Sequence, residues 1–260
     1  MDRTIVITGA ASGIGKASAD LLRERGDRVI GVDVHDADVM ADLSTTQGRQ
    51  DMAEQVRERS GGRIDAVIAN AGLATPTVAT AAVNYFGAVG TLTGLRPLLL
   101  GSPAPRAVTT ASMASLFPPD PKLLDAFLAD DEPAALRRAE ALVDAGPEQA
   151  GMIYGTSKRA LVRWVRRNAA TAEWAGAGIP LNAIAPGVVE TPMTSAFTGT
   201  EESRAAILNQ VPMPLGGIFG PRDAAYLLAW LVSEENGHLC GQVVFIDGGS
   251  DVVIRGEQGW

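Results

Sequence analysis

Short runs of apolar, often β-branched residues alternate along the chain with longer segments in which apolar residues recur every three or four positions. Runs that are apolar almost throughout are typical of strands buried on both faces of a parallel sheet. Regular alternation of strands with helices implies βαβ units and right-handed crossovers. The pattern therefore predicts an α/β fold, a single-domain Rossmann-type doubly wound parallel sheet with helices on both faces. The predicted strands are residues 4–9, 28–33, 65–70, 106–112, 179–186 and 242–247, and the predicted helices about 13–26, 46–60, 78–100, 154–175 and 221–233.

Residues 117–150 do not fit this alternation. They contain two apolar stripes at helical spacing, and prolines and Gly146 bound the segment. The sequence therefore predicts a helical insertion just before the helix that is predicted to begin at 154. The apolar faces of this insertion have to be buried against the domain or against a partner subunit. The first stripe consists of Leu123, Leu124, Phe127 and Leu128, and the second of Leu136, Ala139, Leu142 and Val143.

Composition narrows the possible functions. The 260 residues carry a net charge of −8 and give a pI near 4.8, so clustered cations for neutralising phosphates are lacking and no nucleic-acid partner is expected. The nearest basic run, "KRALVRWVRR" at 158–167, is interpreted as a solvated helix face. With 46% hydrophobic residues and a mean hydropathy of +0.10, the chain can bury a substantial core.

Cysteine and histidine are rare. One cysteine, Cys240, excludes an intramolecular disulfide, and His35 and His238 have no ligand-like neighbours, so no metal site and no Ser–His–Asp triad is expected. The N-terminal segment does not resemble a signal peptide, and no apolar run approaches the length of about 20 residues that a membrane span needs. We expect a soluble cytoplasmic protein without a membrane partner.

The stretch "TGAASGIG" at 8–15 follows the first predicted strand and opens the first helix. Glycines 9, 13 and 15 would let the backbone approach a pyrophosphate at the helix N-terminus, where free N–H groups and the helix dipole favour an anion. Its spacing, Gly-x-x-x-Gly-x-Gly, differs from the commoner Gly-x-Gly-x-x-Gly fingerprint. A surface turn is the alternative, but the position between strand and helix favours nucleotide binding.

Asp33 ends the second predicted strand, 18 residues after Gly15 (33 − 15 = 18). A carboxylate there accepts hydrogen bonds from the adenosine ribose and repels a 2′-phosphate, and no arginine follows it, so NAD is favoured over NADP. The alternative for Asp33 is a turn or cap residue. Lys16 is interpreted as a solvated helix residue, and Asp42 contacts the adenine edge or caps a helix, with equal support.

Six motifs occur in order on the expected elements, and together they resemble the short-chain dehydrogenase/reductase family over the whole chain, including "IDGG" at 246–249. They are the glycine turn, "NAG" at 70–72, Asn84, Ser112, Tyr154 with Lys158 four residues later, and "PGVVETP" at 186–192. The segments "DADVMADLST" (36–45), "VNYFGA" (83–88) and "IDGGSDVVIRG" (246–256), together with the insertion, resemble the bacterial NAD-dependent 3α-hydroxysteroid dehydrogenase/carbonyl reductase branch. The gap of 42 residues between the serine and the tyrosine (154 − 112 = 42) fits that branch and departs from the usual family spacing.

The resemblance implies an oxidoreductase that acts on CH–OH groups with four catalytic residues. Tyr154 is expected to exchange the hydroxyl proton, and Lys158, one helical turn away, to favour its phenolate and bind the nicotinamide ribose. Ser112 is expected to orient the substrate oxygen, with strand-end capping as the alternative role and Ser115 as a competitor. Asn84, a poor helix former inside a helix, is expected to hold a water that links the lysine to solvent.

The resemblance also implies a set of NAD-binding residues, which includes Asn70 and Gly72 beneath the adenosine and ribose, and Thr191 on the nicotinamide carboxamide. The complete set is Gly9, Ser12, Gly13, Ile14, Gly15, Asp33, Asp42, Leu43, Asn70, Ala71, Gly72, Tyr154, Lys158, Pro186, Gly187, Val189, Thr191 and Met193.

Residues 191–219 correspond to the substrate lid of the family. Their apolar side chains are expected to form an adaptable wall suited to a bulky hydrophobic secondary alcohol or ketone, with closure of the core as the alternative. These side chains are Met193, Phe197, Ile207, Met213, Leu215 and Phe219. An aryl or terpene alcohol dehydrogenase of the coniferyl-alcohol type is the alternative enzyme, and a non-catalytic nucleotide-sensing regulator a remote one. A homodimer or homotetramer is expected, with the insertion altering the usual interface around the catalytic helix.

Overall fold

Seven parallel strands form one sheet in the computed structural model, which describes residues 3–259. The spatial order is β3-β2-β1-β4-β5-β6-β7, so the direction of the winding reverses between β1 and β4. At such a switch point the loops after adjacent strands diverge and leave a crevice at the carboxyl edge of the sheet. The strands are β1 Thr4–Thr8, β2 Arg28–Asp33, β3 Val39–Met40, β4 Ala66–Ala69, β5 Arg106–Thr110, β6 Leu181–Pro186 and β7 Val243–Ile246.

Helices cover both faces of the sheet, because alternate strand residues point to opposite faces and both sets are apolar. Val6 packs in a cluster with α2, α3 and α6, whereas Ile5 and Ile7 pack on the opposite face with α1 and α9. The predicted doubly wound α/β fold is therefore confirmed. The helices are α1 Gly13–Glu24, α2 Thr46–Ser60, α3 Val78–Leu99, α4 Pro121–Leu128, α5 Glu132–Asp144, α6 Pro147–Asn168, α7 Ser195–Thr198, α8 Glu201–Gln210, α9 Pro221–Leu231 and α10 Ser250–Arg255.

Three predicted boundaries were wrong, both ends of one helix and one end of a strand. The helix expected to begin at 154 begins at Pro147, because Gly146 adopts φ +115 and proline favours the first helical turn; it ends at Asn168 rather than 175. The strand expected to reach 112 ends at Thr110. The prediction also missed β3, whose two residues, Val39–Met40, are too few to give a periodic signal.

The helix α3 contains a π-helical segment, Ala82–Gly87, and has the length and composition of a membrane span when considered alone. The sequence prediction had found no such run. Because 61% of its most apolar window is buried inside the protein, α3 is a helix of the core.

The insertion packs against its own domain. Leu123, Leu124 and Phe127 of α4 and Ala139 and Leu142 of α5 are buried in a cluster shared with α3 and α6, while Leu128, Leu136 and Val143 are partly buried beside it. Polar contacts fix the segment to α6: Asp120 donates its backbone N–H to Thr156 Oγ1 at 3.0 Å. The two apolar stripes therefore cover α6 from within the same chain.

Candidate active site

A cavity of about 570 Å³ opens at the carboxyl edge of the sheet, where β1, β2, β4, β5 and β6 end. It brings together side chains that are up to about 180 residues apart in sequence, as expected for a switch-point crevice. The sequence-predicted residues that line it are Gly9, Ser12, Gly13, Ile14, Asp33, Asp42, Leu43, Asn70, Ala71, Gly72, Ser112, Tyr154, Lys158, Pro186, Gly187, Val189, Thr191 and Met193. Gly15 and Asn84 lie behind its surface.

The glycine turn is packed too closely for side chains. A Cβ on Gly15 would lie 2.0 Å from the Gly9 carbonyl oxygen, and a Cβ on Gly9 would lie 2.9 Å from the Ala71 Cα. Gly9 and Gly13 also adopt left-handed φ values of +70 and +52. The helix α1 that follows has no side-chain cap and no acidic residue in its first turn, so its N-terminal N–H groups are free to receive an anion.

Asp33 is held at the end of β2 by two backbone donors. Ala11 N–H donates to Oδ2 at 2.9 Å and Val34 N–H to Oδ1 at 2.7 Å. Asp33 thus stabilises a turn through its carboxylate and also lines the cavity. Its remaining acceptor capacity suits ribose hydroxyls, and its negative charge disfavours a 2′-phosphate.

Asp42 also lines the cavity, and its alternative role as a helix cap is not observed. The residue that caps α2 is Thr45, which accepts from Gly48 N–H, whereas Asp42 Oδ1 accepts from Ser44 N–H at 2.9 Å within the preceding turn. The hydrogen bonds from Ser44 lower the pKa of Asp42. Asp42 is therefore a turn residue with a carboxylate facing the cavity.

A ladder of threonine and asparagine side chains ties three strand ends together. Thr8 Oγ1 accepts from the backbone N–H groups of Asn70 and Ala71, both at 3.0 Å. The Thr110 hydroxyl donates to Asn70 Oδ1 at 3.0 Å. The ladder fixes the "NAG" segment against β1 and β5, although Thr8 and Thr110 were not among the predicted site residues.

Lys158 is buried and donates to the Thr110 carbonyl oxygen at 2.8 Å. Burial lowers the pKa of Lys158 to about 8, so the ammonium form still predominates at pH 7. Tyr154 is hydrogen-bonded to Ser112, which lowers its pKa, but burial has the larger effect and raises that pKa above its usual value. The expected effect of the lysine charge on the tyrosine pKa stays a prediction, and Lys158 keeps its charge while it donates to the neutral Thr110 carbonyl.

Ser112 lies two residues beyond the end of β5 and begins a 3₁₀ helix, Met113–Leu116. Its Oγ accepts from Ala114 N–H at 3.1 Å, so the capping role exists together with the hydrogen bond to Tyr154. The competitor Ser115 is buried but does not line the cavity.

Asn84 lies in the π-helical segment of α3 and is completely buried. Its Oδ1 accepts from Leu73 N–H at 2.8 Å, and its Nδ2 donates to the Leu73 carbonyl oxygen at 2.9 Å and to Ser157 Oγ at 3.2 Å. The side chain is therefore engaged in anchoring the segment after "NAG", and this limits its capacity to hold a water. A Cβ on Gly72 would lie 3.2 Å from Asn84 Oδ1 and 3.4 Å from Lys158 Nζ.

The predicted apolar wall of the lid is divided in the structure. Met193 lines the cavity, but Met213 is buried against Val188 and Val211, where its Cε fills the space that a Cβ on Gly187 would occupy. Ile207 and Phe219 pack beside the same cluster, whereas Phe197 and Leu215 are 51% and 82% exposed. The alternative of core closure thus applies to half of the set.

Several cavity residues were missed because nothing in the sequence distinguishes them from ordinary strand-end or helix residues. Val34 and His35 follow Asp33 directly, which was the one available signal. The others are Val32, Ala41, Ser44, Leu73, Ala79, Val83, Thr110, Ala111, Pro192 and Thr194. Within residues 3–259, no group of three or more His, Cys, Asp or Glu side chains is arranged to hold a metal ion.

These features fit a dinucleotide. The glycine turn and the uncapped start of α1 would hold the pyrophosphate, Asp33 the adenosine ribose, and Lys158 and Thr191 the nicotinamide end of the cavity. Thr191 lies close to the turn, since a Cβ on Gly13 would be 3.3 Å from its Cγ2. When bound, the nicotinamide ring supplies the hydride acceptor or donor for the reaction.

Comparison with known proteins agrees with this geometry. Residues 3–121 match the family described as short chain dehydrogenase, and residues 137–251 match the family described as Enoyl-(Acyl carrier protein) reductase. The chain therefore belongs to the short-chain dehydrogenase/reductase family and is an oxidoreductase acting on CH–OH groups. It is 37% identical to the 3-alpha-hydroxysteroid dehydrogenase/carbonyl reductase of Comamonas testosteroni, with 98% of both chains aligned.

Solved structures show the same similarity. The 3-alpha-hydroxysteroid dehydrogenase of Pseudomonas sp. B-0831, complexed with NADH, is 37% identical and gives a TM-score of 0.87 over 98% of this chain and 99% of that one. A putative NAD(P)-dependent gluconate 5-dehydrogenase of Beutenbergia cavernae, with bound NADP, is 28% identical and gives a TM-score of 0.74 over 95% and 96%. Both cofactors therefore occur among similar structures.

Proposed function

We propose that the protein is an NAD(H)-dependent oxidoreductase that interconverts a bulky hydrophobic secondary alcohol and its ketone. The observation that carries this proposal is that Ser112, Tyr154 and Lys158 line the same cavity as the glycine turn and Asp33. The 37% identity to a hydroxysteroid dehydrogenase/carbonyl reductase supports the substrate class.

Tyr154 is the group that exchanges a proton with the substrate oxygen. Because its pKa is raised, it carries its proton at neutral pH, which is the state required to protonate a ketone oxygen during reduction. Ser112 orients that oxygen through the hydroxyl that now contacts Tyr154. Alcohol oxidation needs the phenolate, which the Lys158 charge and the positive charge of an oxidised nicotinamide both favour.

Asn84 anchors the floor of this site, and its predicted part in a water-mediated proton relay remains a proposal. Its two polar atoms hold the backbone of Leu73, which itself lines the cavity. A relay would have to use atoms other than the engaged carboxamide.

The chemistry of the lining supports an uncharged substrate. Leu73, Ala79, Val83 and Met193 contribute apolar surface, and Lys158 is the only lysine or arginine among the described residues that line the cavity. A phosphate or carboxylate on the substrate would therefore lack a second cation. Asp33 supports NAD rather than NADP, because a carboxylate at that position repels the 2′-phosphate.

The assembly and compartment are also proposals. We infer a homodimer that forms away from the outer face of α6, because α4 and α5 of the same chain already cover that helix. Sedimentation that gives a compact 222 tetramer would contradict this arrangement. The buried position of α3 and the acidic composition support a cytoplasmic location.

The experiment that tests the function is a screen for NADH formation with steroid, aryl and terpene alcohols, a small polar alcohol, and NADP⁺ in parallel. We expect steroid alcohols to be oxidised faster than small polar alcohols, and NAD⁺ to be preferred. Preference for terpene or coniferyl-type alcohols would select the alternative enzyme. Saturable NAD binding without turnover of any substrate would favour the nucleotide-sensing alternative.

A further inference from the structure

A partly buried ion pair joins the insertion to the cofactor side of the domain. Arg49 Nη2 of α2 lies 2.6 Å from Glu132 Oε2, the first residue of α5, and the two side chains are 10% and 23% exposed. Such a pair is screened much less by solvent than a surface pair, so its geometry is well defined.

The same guanidinium also holds the wall of the main cavity. Arg49 Nη1 donates to the Leu43 carbonyl oxygen at 3.2 Å, and Nη2 donates to Thr46 Oγ1 at 3.0 Å. Residues 41–44, here called the Leu43 segment, lie outside any helix or strand, yet all four line the cavity. Backbone hydrogen bonds hold the segment at its ends, from Ala41 N–H to the Asp33 carbonyl and from Thr45 N–H to the Asp42 carbonyl, and Arg49 adds a side-chain contact at Leu43 between them.

Two glycines of α3 make room for these contacts. A Cβ on Gly90 would lie 2.7 Å from Arg49 Cδ, and a Cβ on Gly87 would lie 3.3 Å from Leu43 Cβ. The arginine stem runs through the space at Gly90 and reaches α5 on the far side. Glycine is therefore favoured at these two positions because neighbouring atoms fill the space of a Cβ, not because of a positive φ.

The opposite end of the insertion is fixed independently. Arg138 of α5 donates to both carboxylate oxygens of Asp120, at 3.0 and 2.6 Å, and Asp120 is bonded through its backbone N–H to Thr156 of the catalytic helix. The pKa of Asp120 is lowered by the Arg138 hydrogen bonds. Two charged contacts therefore hold α5 in place, Arg138 with Asp120 and Glu132 with Arg49.

We propose that Arg49 and Glu132 are positioning residues that fix the Leu43 segment, so that the insertion sets the affinity for the adenine half of the cofactor. This inference rests on the proposed binding of NAD in the main cavity. It assigns to the insertion a function that is separate from its effect on subunit contacts.

The test compares Glu132→Gln with Glu140→Gln, an exposed glutamate on the same helix. For Glu132→Gln we expect the KM for NAD and the inhibition constant of 5′-AMP to rise together by about three- to tenfold, in the range found for residues that act through a neighbour. The kcat at saturating NAD should stay unchanged, because the ion pair touches neither Tyr154 nor Ser112. Glu140→Gln should leave all three constants unchanged.

Gly90→Ala is expected to weaken NAD binding without a matching loss of stability, which separates a positioning role of Arg49 from a purely structural one. Alanine favours a helix over glycine by about 1 kcal/mol, which offsets the cost of displacing the Arg49 stem, so the melting temperature should change little. Displacement of Arg49 should nevertheless raise the KM for NAD and the 5′-AMP constant. If Arg49 had a purely structural role, weaker NAD binding would not occur without a lower melting temperature.

Three results would overturn the inference. They are unchanged NAD and 5′-AMP constants in both Glu132→Gln and Gly90→Ala, a loss of kcat without a change in KM, or a rise in KM equal to that of Glu140→Gln. If the wild-type enzyme bound no NAD at all, the proposed function would fail with it. If the wild type bound NAD and the variants did so equally well, only the positioning role would be wrong.

Discussion

The Lys158 ammonium lies 5.8 Å from the centre of the Tyr154 ring and donates a hydrogen bond to the Thr110 carbonyl oxygen at 2.8 Å. The two residues adjoin on one face of α6, as an i, i+4 pair must. Desolvation by burial has the largest effect on both pKa values, raising that of Tyr154 and lowering that of Lys158. Tyr154 therefore carries its proton at neutral pH, and Lys158 is still mainly an ammonium at pH 7.

Removal of the Tyr154 hydroxyl should abolish proton exchange while preserving the cavity. We expect Tyr154→Phe to lower kcat by about 10²- to 10⁴-fold, the usual contribution of a general acid or base. The affinity for NAD should change by no more than a few-fold, measured by quenching of protein fluorescence. Loss of NAD binding with turnover intact would contradict the assigned role.

Burial of Lys158 should destabilise the fold in a pH-dependent way. Its pKa is about 8 in the folded protein against 10.5 in the unfolded chain, so below pH 8 both states are protonated and the folded state bears the full desolvation cost. Between pH 8 and 10.5 the unfolded state binds more protons, and the cost is relieved as pH rises. The shift corresponds to about 3 kcal/mol at most.

Lys158→Met should therefore raise the melting temperature at pH 7 and inactivate the enzyme. The measurement is thermal unfolding of the wild type and the variant at pH 7 and pH 9.5. The difference between their melting temperatures should be smaller at pH 9.5. A variant that is less stable than the wild type at pH 7 would show that the bond to Thr110 outweighs desolvation.

Asp33 should control the choice between NAD and NADP through its charge. Asp33→Asn keeps the side chain's size and one of the two oxygens that accept backbone N–H groups, and repulsion of a 2′-phosphate is lost. We expect the ratio of kcat/KM for NAD to that for NADP to fall by about tenfold, equivalent to about 1.4 kcal/mol. Asp36→Asn is the matched control, since Asp36 is 92% exposed and asparagine tolerates its φ of +49. If both substitutions changed the ratio equally, the preference for NAD would depend on the overall negative charge of this region and not on a specific contact of Asp33.

Glycine positions should differ according to the space around them. Gly15→Ala forces a Cβ to within 2.0 Å of a backbone oxygen, so we expect destabilisation of about 2 kcal/mol or more and loss of NAD binding. Gly151→Ala on the exposed side of α6 meets nothing within 4 Å and should stabilise by about 0.5–1 kcal/mol. Urea unfolding of both variants tests the contrast, and equal destabilisation would be inconsistent with it.

The order of elements could be predicted from the sequence because each depends on local periodicity. Continuous apolar runs identified six of the seven strands, and the glycine turn was recognised from its place between β1 and α1. Boundaries were less accurate where a backbone conformation decides them. Gly146 and Pro147 start α6 seven residues before the predicted position, and the two residues of β3 gave no periodic signal.

The composition of the candidate site was also largely predictable, because motif residues at strand ends converge on one edge of a parallel sheet. Their hydrogen-bond partners were not. Asn84 could be singled out as a polar residue inside a helix, but its attachment to Leu73 and Ser157 depends on how α3 packs against α6. The prediction that the apolar residues of the lid form one wall was wrong for the same reason. Apolar spacing does not distinguish Met193, which lines the cavity, from Met213, which is buried in the core.

The sequence by itself determined the α/β class, the position of the glycine turn and the pairing of Tyr154 with Lys158, since these follow from local spacing. The tertiary structure alone decided that Lys158 bonds to Thr110 and that Glu132 of the insertion meets Arg49 83 residues away. Such contacts join segments that are distant along the chain, and their geometry is fixed only when the whole core packs.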